Sequence, residues 1–202
     1  MWKHTICNVV MVIVLLWAIS VHAGRFEGQI FFNNGLSTLT LQQVEEGTWT
    51  GTEKGRSFTV SLTKDGKVTY FSGNEGKGGK EMIAQGVMNS GKLRMTQSDG
   101  AFYAYIQCRA EKIKIELSEG AEPFEMKISD EKIKVRQHDK VYGKIKYYPD
   151  TDKTKAKDEK GIEVAYSKSF SHTTAVLGAF LLPSIDQKMR TFICLFLLAA
   201  GK

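Results

Sequence analysis

Apolar and polar residues alternate with period two through most of the chain. Phe58, Val60 and Leu62 alternate with Thr59, Ser61 and Thr63, and Ile113, Ile115 and Leu117 alternate with Lys112, Lys114 and Glu116. A strand points successive side chains to opposite faces, so each run predicts a half-buried β-strand. Turn signals separate the runs: Asn33-Asn34-Gly35, Glu45-Glu46-Gly47, Glu53-Lys54-Gly55, Lys64-Asp65-Gly66, Asn89-Ser90-Gly91, Ser98-Asp99-Gly100, Ser118-Glu119-Gly120, His138-Asp139-Lys140 and Glu159-Lys160-Gly161. Each offers glycine, asparagine or aspartate where a tight hairpin needs positive φ. The pattern predicts a mainly β fold, a long antiparallel meander of roughly a dozen strands, closed as a barrel or folded as a sandwich. An open sheet of that length would leave unpaired edges. No helical period separates the strands, which excludes parallel βαβ units.

The C-terminus breaks the alternation. Ala175–Leu182 is small and apolar, and Pro183-Ser184-Ile185-Asp186-Gln187 reads as a helix start. Ser184 is the expected cap, Gln187 its capping-box partner, and Asp186 suits the positive end of the helix dipole. The predicted helix runs from about Ile185 to Ala200, and its part from Thr191 onward is apolar on every side. Such a helix must be enclosed by protein or lipid. Lys188 and Arg190 shorten the apolar run well below the ~20 residues a bilayer span requires. The helix is therefore expected against or inside the β-structure, with docking to a membrane or partner as the alternative.

Residues 1–23 have the form of a secretory signal peptide: a basic start at Lys3, an apolar run from Val9 to Ile19, and the small exit residue Ala23. The chain then divides into a Thr/Gly-rich β region, 24–117, and a lysine-patterned region of hairpins plus helix, 118–202. The composition changes near Ser118–Pro123, and the two parts can form one continuous domain. A secreted, periplasmic or cell-envelope location follows from the leader.

Of the 202 residues, 42% are hydrophobic and 25% charged, with a formal net charge of +6, which excludes collagen and disorder. The charge changes the picture in one place. Lysines alternate with apolar residues in Lys112-Ile-Lys-Ile, Lys132-Ile-Lys-Val, Lys144-Ile-Lys-Tyr and Lys153-Thr-Lys-Ala. One reading is a solvated sheet face whose charged edges resist aggregation; the other is a basic surface for anionic lipid or polysaccharide. Acidic residues nearly balance the lysines from Glu111 to Lys168, which argues against nucleic acid as a partner. Strand geometry can still segregate the signs.

Candidate chemistry is sparse. Gly73–Lys80 resembles a phosphate loop, but Gly79 stands where the lysine of that motif belongs, and Lys80 is followed by Glu81 instead of the required hydroxyl. No serine sits in a Gly-x-Ser-x-Gly elbow. His138 and His172 fall in a turn and a connector, and neither lies at metal-ligand spacing from a cysteine. The sequence thus predicts no catalytic residue, no metal and no cofactor. In Phe102-Tyr-Ala-Tyr-Ile106, strict alternation puts Tyr103 and Tyr105 together on the face opposite the core, as a covered face or as an aromatic platform for a ligand such as a sugar ring. Cys108 and Cys194 are the two cysteines left after leader cleavage. Export would allow a disulfide between them, with two separately buried thiols as the alternative.

The lysine-patterned hairpins from Lys112 to Ser169, followed by the helix Ile185–Ala200, resemble the tubby-like, LURP-one-related barrels. The likeness covers under half of the chain. It implies a closed antiparallel barrel wrapped around an apolar C-terminal helix, and it favours membrane-associated binding. No phosphoinositide-binding motif of that family is present, so no binding residue carries over. The expected function is an exported, non-catalytic β-protein binding a lipid, a membrane surface or another envelope component. A secreted structural or adhesive module contacting protein or glycan is the alternative, and a hydrolase hidden on a β-scaffold is a third.

Overall fold

The computed structural model describes residues 26–74 and 79–202; the predicted leader and the middle of the Gly73–Lys80 loop lie outside them. Fourteen antiparallel strands follow one another around a closed barrel. They are β1 (Glu27–Phe32), β2 (Ser37–Glu45), β3 (Thr48–Glu53), β4 (Arg56–Leu62), β5 (Lys67–Asn74), β6 (Lys80–Asn89), β7 (Lys92–Gln97), β8 (Phe102–Cys108), β9 (Lys112–Glu116), β10 (Phe124–Ile128), β11 (Ile133–Gln137), β12 (Lys140–Tyr148), β13 (Lys153–Asp158) and β14 (Glu163–Ser167). Each strand pairs with its neighbours in sequence, and the pairs Phe31↔Tyr166 and Phe32↔Ala165 join β1 to β14. The architecture is a barrel, not a sandwich. The change in composition near Ser118–Pro123 falls at the β9–β10 connection, inside this single closed sheet.

Every turn signal named above falls at a junction of consecutive strands, with Glu45, Glu53, Asn89 and Lys140 as the adjoining strand ends. Lys54 and Gly55 (φ 51° and 74°) and Ser90 and Gly91 (φ 49° and 74°) supply the two consecutive positive φ values of a type I′ hairpin. Gly47 has φ 73°, and a Cβ there would lie 2.2 Å from the Leu62 carbonyl oxygen, so both conformation and space demand glycine.

A barrel of about eight strands is filled by its own side chains, whereas about sixteen leave an open lumen. Fourteen strands therefore need further filling, and the C-terminal segment provides it. A 3-10 segment, Ala175–Leu181, buries all of its residues except Phe180, which is half-buried. The helix α1 (Gln187–Ala199) buries Thr191 through Leu197. It packs on β3 and β4, the 3-10 segment packs on β10 to β14, and the two pack on each other. Small residues in the wall make the room: a Cβ on Gly51 would meet Leu39, Thr191 and Leu195 at 3.2–3.3 Å. Inside the barrel the inward rows supply Ile30, Leu39, Leu41, Phe58, Val60, Tyr70, Ile106, Ile113 and Ile115, all at 0% exposure. Tyr70, Tyr103 and Phe196 surround Phe192 with ring centroids at 5.2–6.0 Å.

The start of α1 differs from the sequence expectation. The cap is Asp186, whose carboxylate accepts from the Met189 N–H at 2.7 Å, and the helix begins at Gln187. Ser184 instead takes φ 56° in the preceding turn, and the Gln187 amide donates to the Glu53 carbonyl. Glu53, one residue of an expected turn, is 3% exposed; both of its oxygens accept from Arg190 Nη2, at 3.0 and 3.1 Å. The guanidinium lies over the rings of Phe32 and Phe180. A strand carboxylate thus anchors the first turn of the plug at the barrel mouth.

Candidate functional site

Inward alternation of apolar residues on β9 to β13 sends lysines outward, and the register determines where they meet. Lys112 stands directly opposite Lys127, Lys127 opposite Lys134, Lys134 opposite Lys144, and Lys144 opposite Lys157. Five lysines therefore form one continuous row across five adjacent strands, spanning four strand spacings or roughly 19 Å. One row further along, Lys146 faces Lys155, and Lys132 precedes Ile133, the partner of Ile145. Lys127, Lys132 and Lys134 line a surface pocket of ≈ 200 Å³ with Ser129.

The register also sorts the acids. Glu125 lies beside the row, not in it. Lys112 (3.2 Å), Lys114 (3.3 Å) and Arg136 (2.8 Å) gather around this one carboxylate. Burial alone would raise its pKa, but the hydrogen bonds from Arg136, Lys112 and Lys114 outweigh it and bring the carboxyl down to about 2. Glu163 closes the far end with an ion pair to Lys155 at 2.9 Å. Lys127, Lys134 and Lys144 are exposed and have no carboxylate partner among the described residues. At the β13 end, Lys155 and Lys157 lie over the Tyr148 ring, at 5.5 and 5.2 Å from its centroid, and Lys153 lies over Tyr166 at 4.5 Å. These stacked stems hold ammonium groups above the sheet.

The other side of the barrel has a different chemistry. Thr50 pairs with Thr59, their hydroxyls 3.4 Å apart, and the Thr48 hydroxyl donates to Ser61. Thr38, Thr40, Thr50 and Thr52 line a shallow depression with Gln42 and Glu27. The barrel is thus hydroxyl-covered on β2 to β4 and lysine-covered on β9 to β13. Neither of these two faces carries an apolar band of the kind found on a barrel that crosses a membrane. No described helix is long and apolar enough to cross one either.

The sequence-selected residues fall in other places. Tyr103 and Tyr105 do not share a face. A β-bulge between Met95 and Thr96 pairs these with Ala104 and Phe102, leaving Tyr103 as the extra residue. Its ring turns inward, 5.5 Å from Phe192 and 6.1 Å from Tyr70. Burial raises its phenol pKa well above the usual value, and its hydroxyl has no hydrogen-bond partner among the described residues. Tyr105 stays outside, opposite Arg94.

Cys108 and Cys194 form no disulfide; both are free and buried. Burial pushes the Cys108 thiol up to about 11 and the Cys194 thiol to about 12, and Cys194 donates to the Val176 carbonyl inside the plug. Neither is suited to thiolate chemistry at neutral pH. His138 and His172 are exposed at separate points, His138 against Glu122 at 2.7 Å; His172 contributes its backbone carbonyl, which accepts from Thr154. No group of three or more His, Cys, Asp or Glu that could hold a metal ion occurs among the described residues.

No protein-family model, no curated protein and no solved structure matches the chain.

Proposed function

We propose that the protein is an exported, non-catalytic binding module that holds an anionic partner of the cell envelope or exterior against the lysine face of β9 to β13. The row Lys112–Lys127–Lys134–Lys144–Lys157 carries this reading. Like charges placed directly opposite each other across a sheet are destabilising. Charged edges commonly protect an open sheet from aggregation, but a closed barrel has no edge to protect. A ligand that neutralises the row gives the opposed charges a purpose. The leader-like residues 1–23 support export.

The test compares the purified protein with its Lys127→Gln/Lys134→Gln/Lys144→Gln variant on vesicles containing phosphatidylserine, on sulfated dextran and on the uncharged counterparts of both. The expected result is retention by at least one anionic matrix, weakened in the variant and by salt. Equal retention of protein and variant, or no retention on either anionic matrix, removes the reading. Export predicts that the protein recovered outside the cytoplasm begins at Gly24.

A further inference from the structure

We infer that the occupant of the lysine row is a linear anionic polysaccharide, carboxylated or sulfated, laid across β9 to β13 at right angles to the strands. The inference rests on the anionic-partner reading above and specifies the partner.

Spacing is the first argument. Successive lysines of the row come from successive strands, so the charges repeat at about 4.8 Å at the backbone. That is close to the length of one pyranose ring in an extended polymer, so one acidic group per sugar can meet one ammonium per strand. Lysine is a compact point charge on a flexible four-carbon stem, and it tolerates the residual mismatch.

Curvature is the second. The row crosses five of the fourteen strands, four of the fourteen strand spacings, and so runs more than a quarter of the way round the wall. A flat bilayer lies tangent to such a surface and meets only the middle of the row. A polymer chain can follow the bend and reach Lys112 and Lys157 together.

The character of the face is the third. The side chains of the row are all lysine, and the exposed Val141 and Ile162 lie apart from it, near hairpin turns. A membrane-bound surface gains most from apolar side chains inserted below the headgroups. The row instead ends at the Tyr148 ring under Lys155 and Lys157, and the ≈ 200 Å³ pocket of Lys127, Ser129, Lys132 and Lys134 sits beside its second and third lysines. The hydroxyl of Ser129 and the three ammonium groups suit the polar periphery of a sugar acid.

The experiment titrates the purified protein with polygalacturonate oligomers of increasing length, with phosphatidylserine vesicles, and with single-stranded DNA matched in charge to the longest oligomer. Affinity for the oligomers is expected to climb with each added sugar and level off at about five, the number of strands crossed. Lys127→Gln/Lys134→Gln/Lys144→Gln should lose about tenfold or more in affinity, while Lys54→Gln/Lys92→Gln, outside the row, should not. Binding to vesicles without binding to the oligomers overturns the polysaccharide assignment and leaves the anionic-partner reading standing. Equal affinity for the matched DNA overturns it too, because charge alone would then explain the interaction. Failure of all three probes together with failure on sulfated dextran overturns both.

Discussion

Glu125 shows how much one carboxylate can organise. Three cations point at it, and its pKa lies at about 2, against an ordinary value of 4.5. A depressed folded-state pKa contributes stability that is fully present above about pH 4.5 and is lost as pH falls toward about 2. Glu125→Gln should therefore flatten the acid limb of a stability-versus-pH curve between those values; an unchanged limb would deny the cluster that role. Glu53 and Arg190 form the other decisive pair, and this one is interior. Removing one partner leaves a buried charge unpaired, so Glu53→Ala should cost about 3 kcal/mol in urea unfolding. The two cysteines give a chemical prediction. With thiol pKa values of about 11 and about 12 and no disulfide, the native protein at pH 8 should resist a thiol reagent. Denaturant should then expose both thiols to labelling without reduction.

Among the elements, α1 bears most on the barrel. A sheet of fourteen strands has no self-filling interior, and Phe192, Leu195 and Phe196, each at 0% exposure, occupy the space that other barrels leave to a lumen. Phe192 touches Tyr70, Tyr103 and Phe196. Phe192→Ala should cost about 3–5 kcal/mol, read as a lowered urea midpoint with an unchanged slope. A steeper or shallower slope would mean that the barrel collapses without its plug instead of merely losing packing. The bulges are the second set of decisive elements. At β11–β12 the register shifts between Val135 and Arg136, and this shift sets Lys134 opposite Lys144 instead of Gly143. At β7–β8 a bulge turns Tyr103 from the outer face to the plug. One extra residue changes which side chains meet and which face they share.

For the whole molecule, the two surfaces set function against stability. If the lysine row is there for a ligand, the free protein carries its repulsion as a cost. Lys134→Thr, at the centre of the row, should then raise thermal stability by about 0.5 kcal/mol while weakening retention on an anionic matrix. Such a trade-off is the mark of a binding surface. A loss of both stability and retention would instead make Lys134 a structural residue. The threonine face of β2 to β4 has no row of opposed lysines, only the single ammonium of Lys80 donating to Thr59 and Lys54 at the edge of the depression, and substitutions at Thr50 should leave anion binding unchanged.

Local rules made much of this protein readable from its residues. Period-two alternation gave strands, glycine-bearing turns gave hairpins, and an all-apolar terminal segment required enclosure. Each of those depends on neighbours in sequence and on solvent exclusion alone. The Ser184 cap failed because Asp186, two residues later, offers a carboxylate where the chain actually enters the helix. The pairing of β1 with β14, the choice of barrel over sandwich, the interior position of Glu53 and Tyr103, and the lysine row all depend on which strands close on which and where a bulge shifts the ladder. Alternation fixes only the parity of a side chain within its own strand. Whether five ammonium groups meet across five strands is decided by registers that come into being only when the sheet forms around its helix.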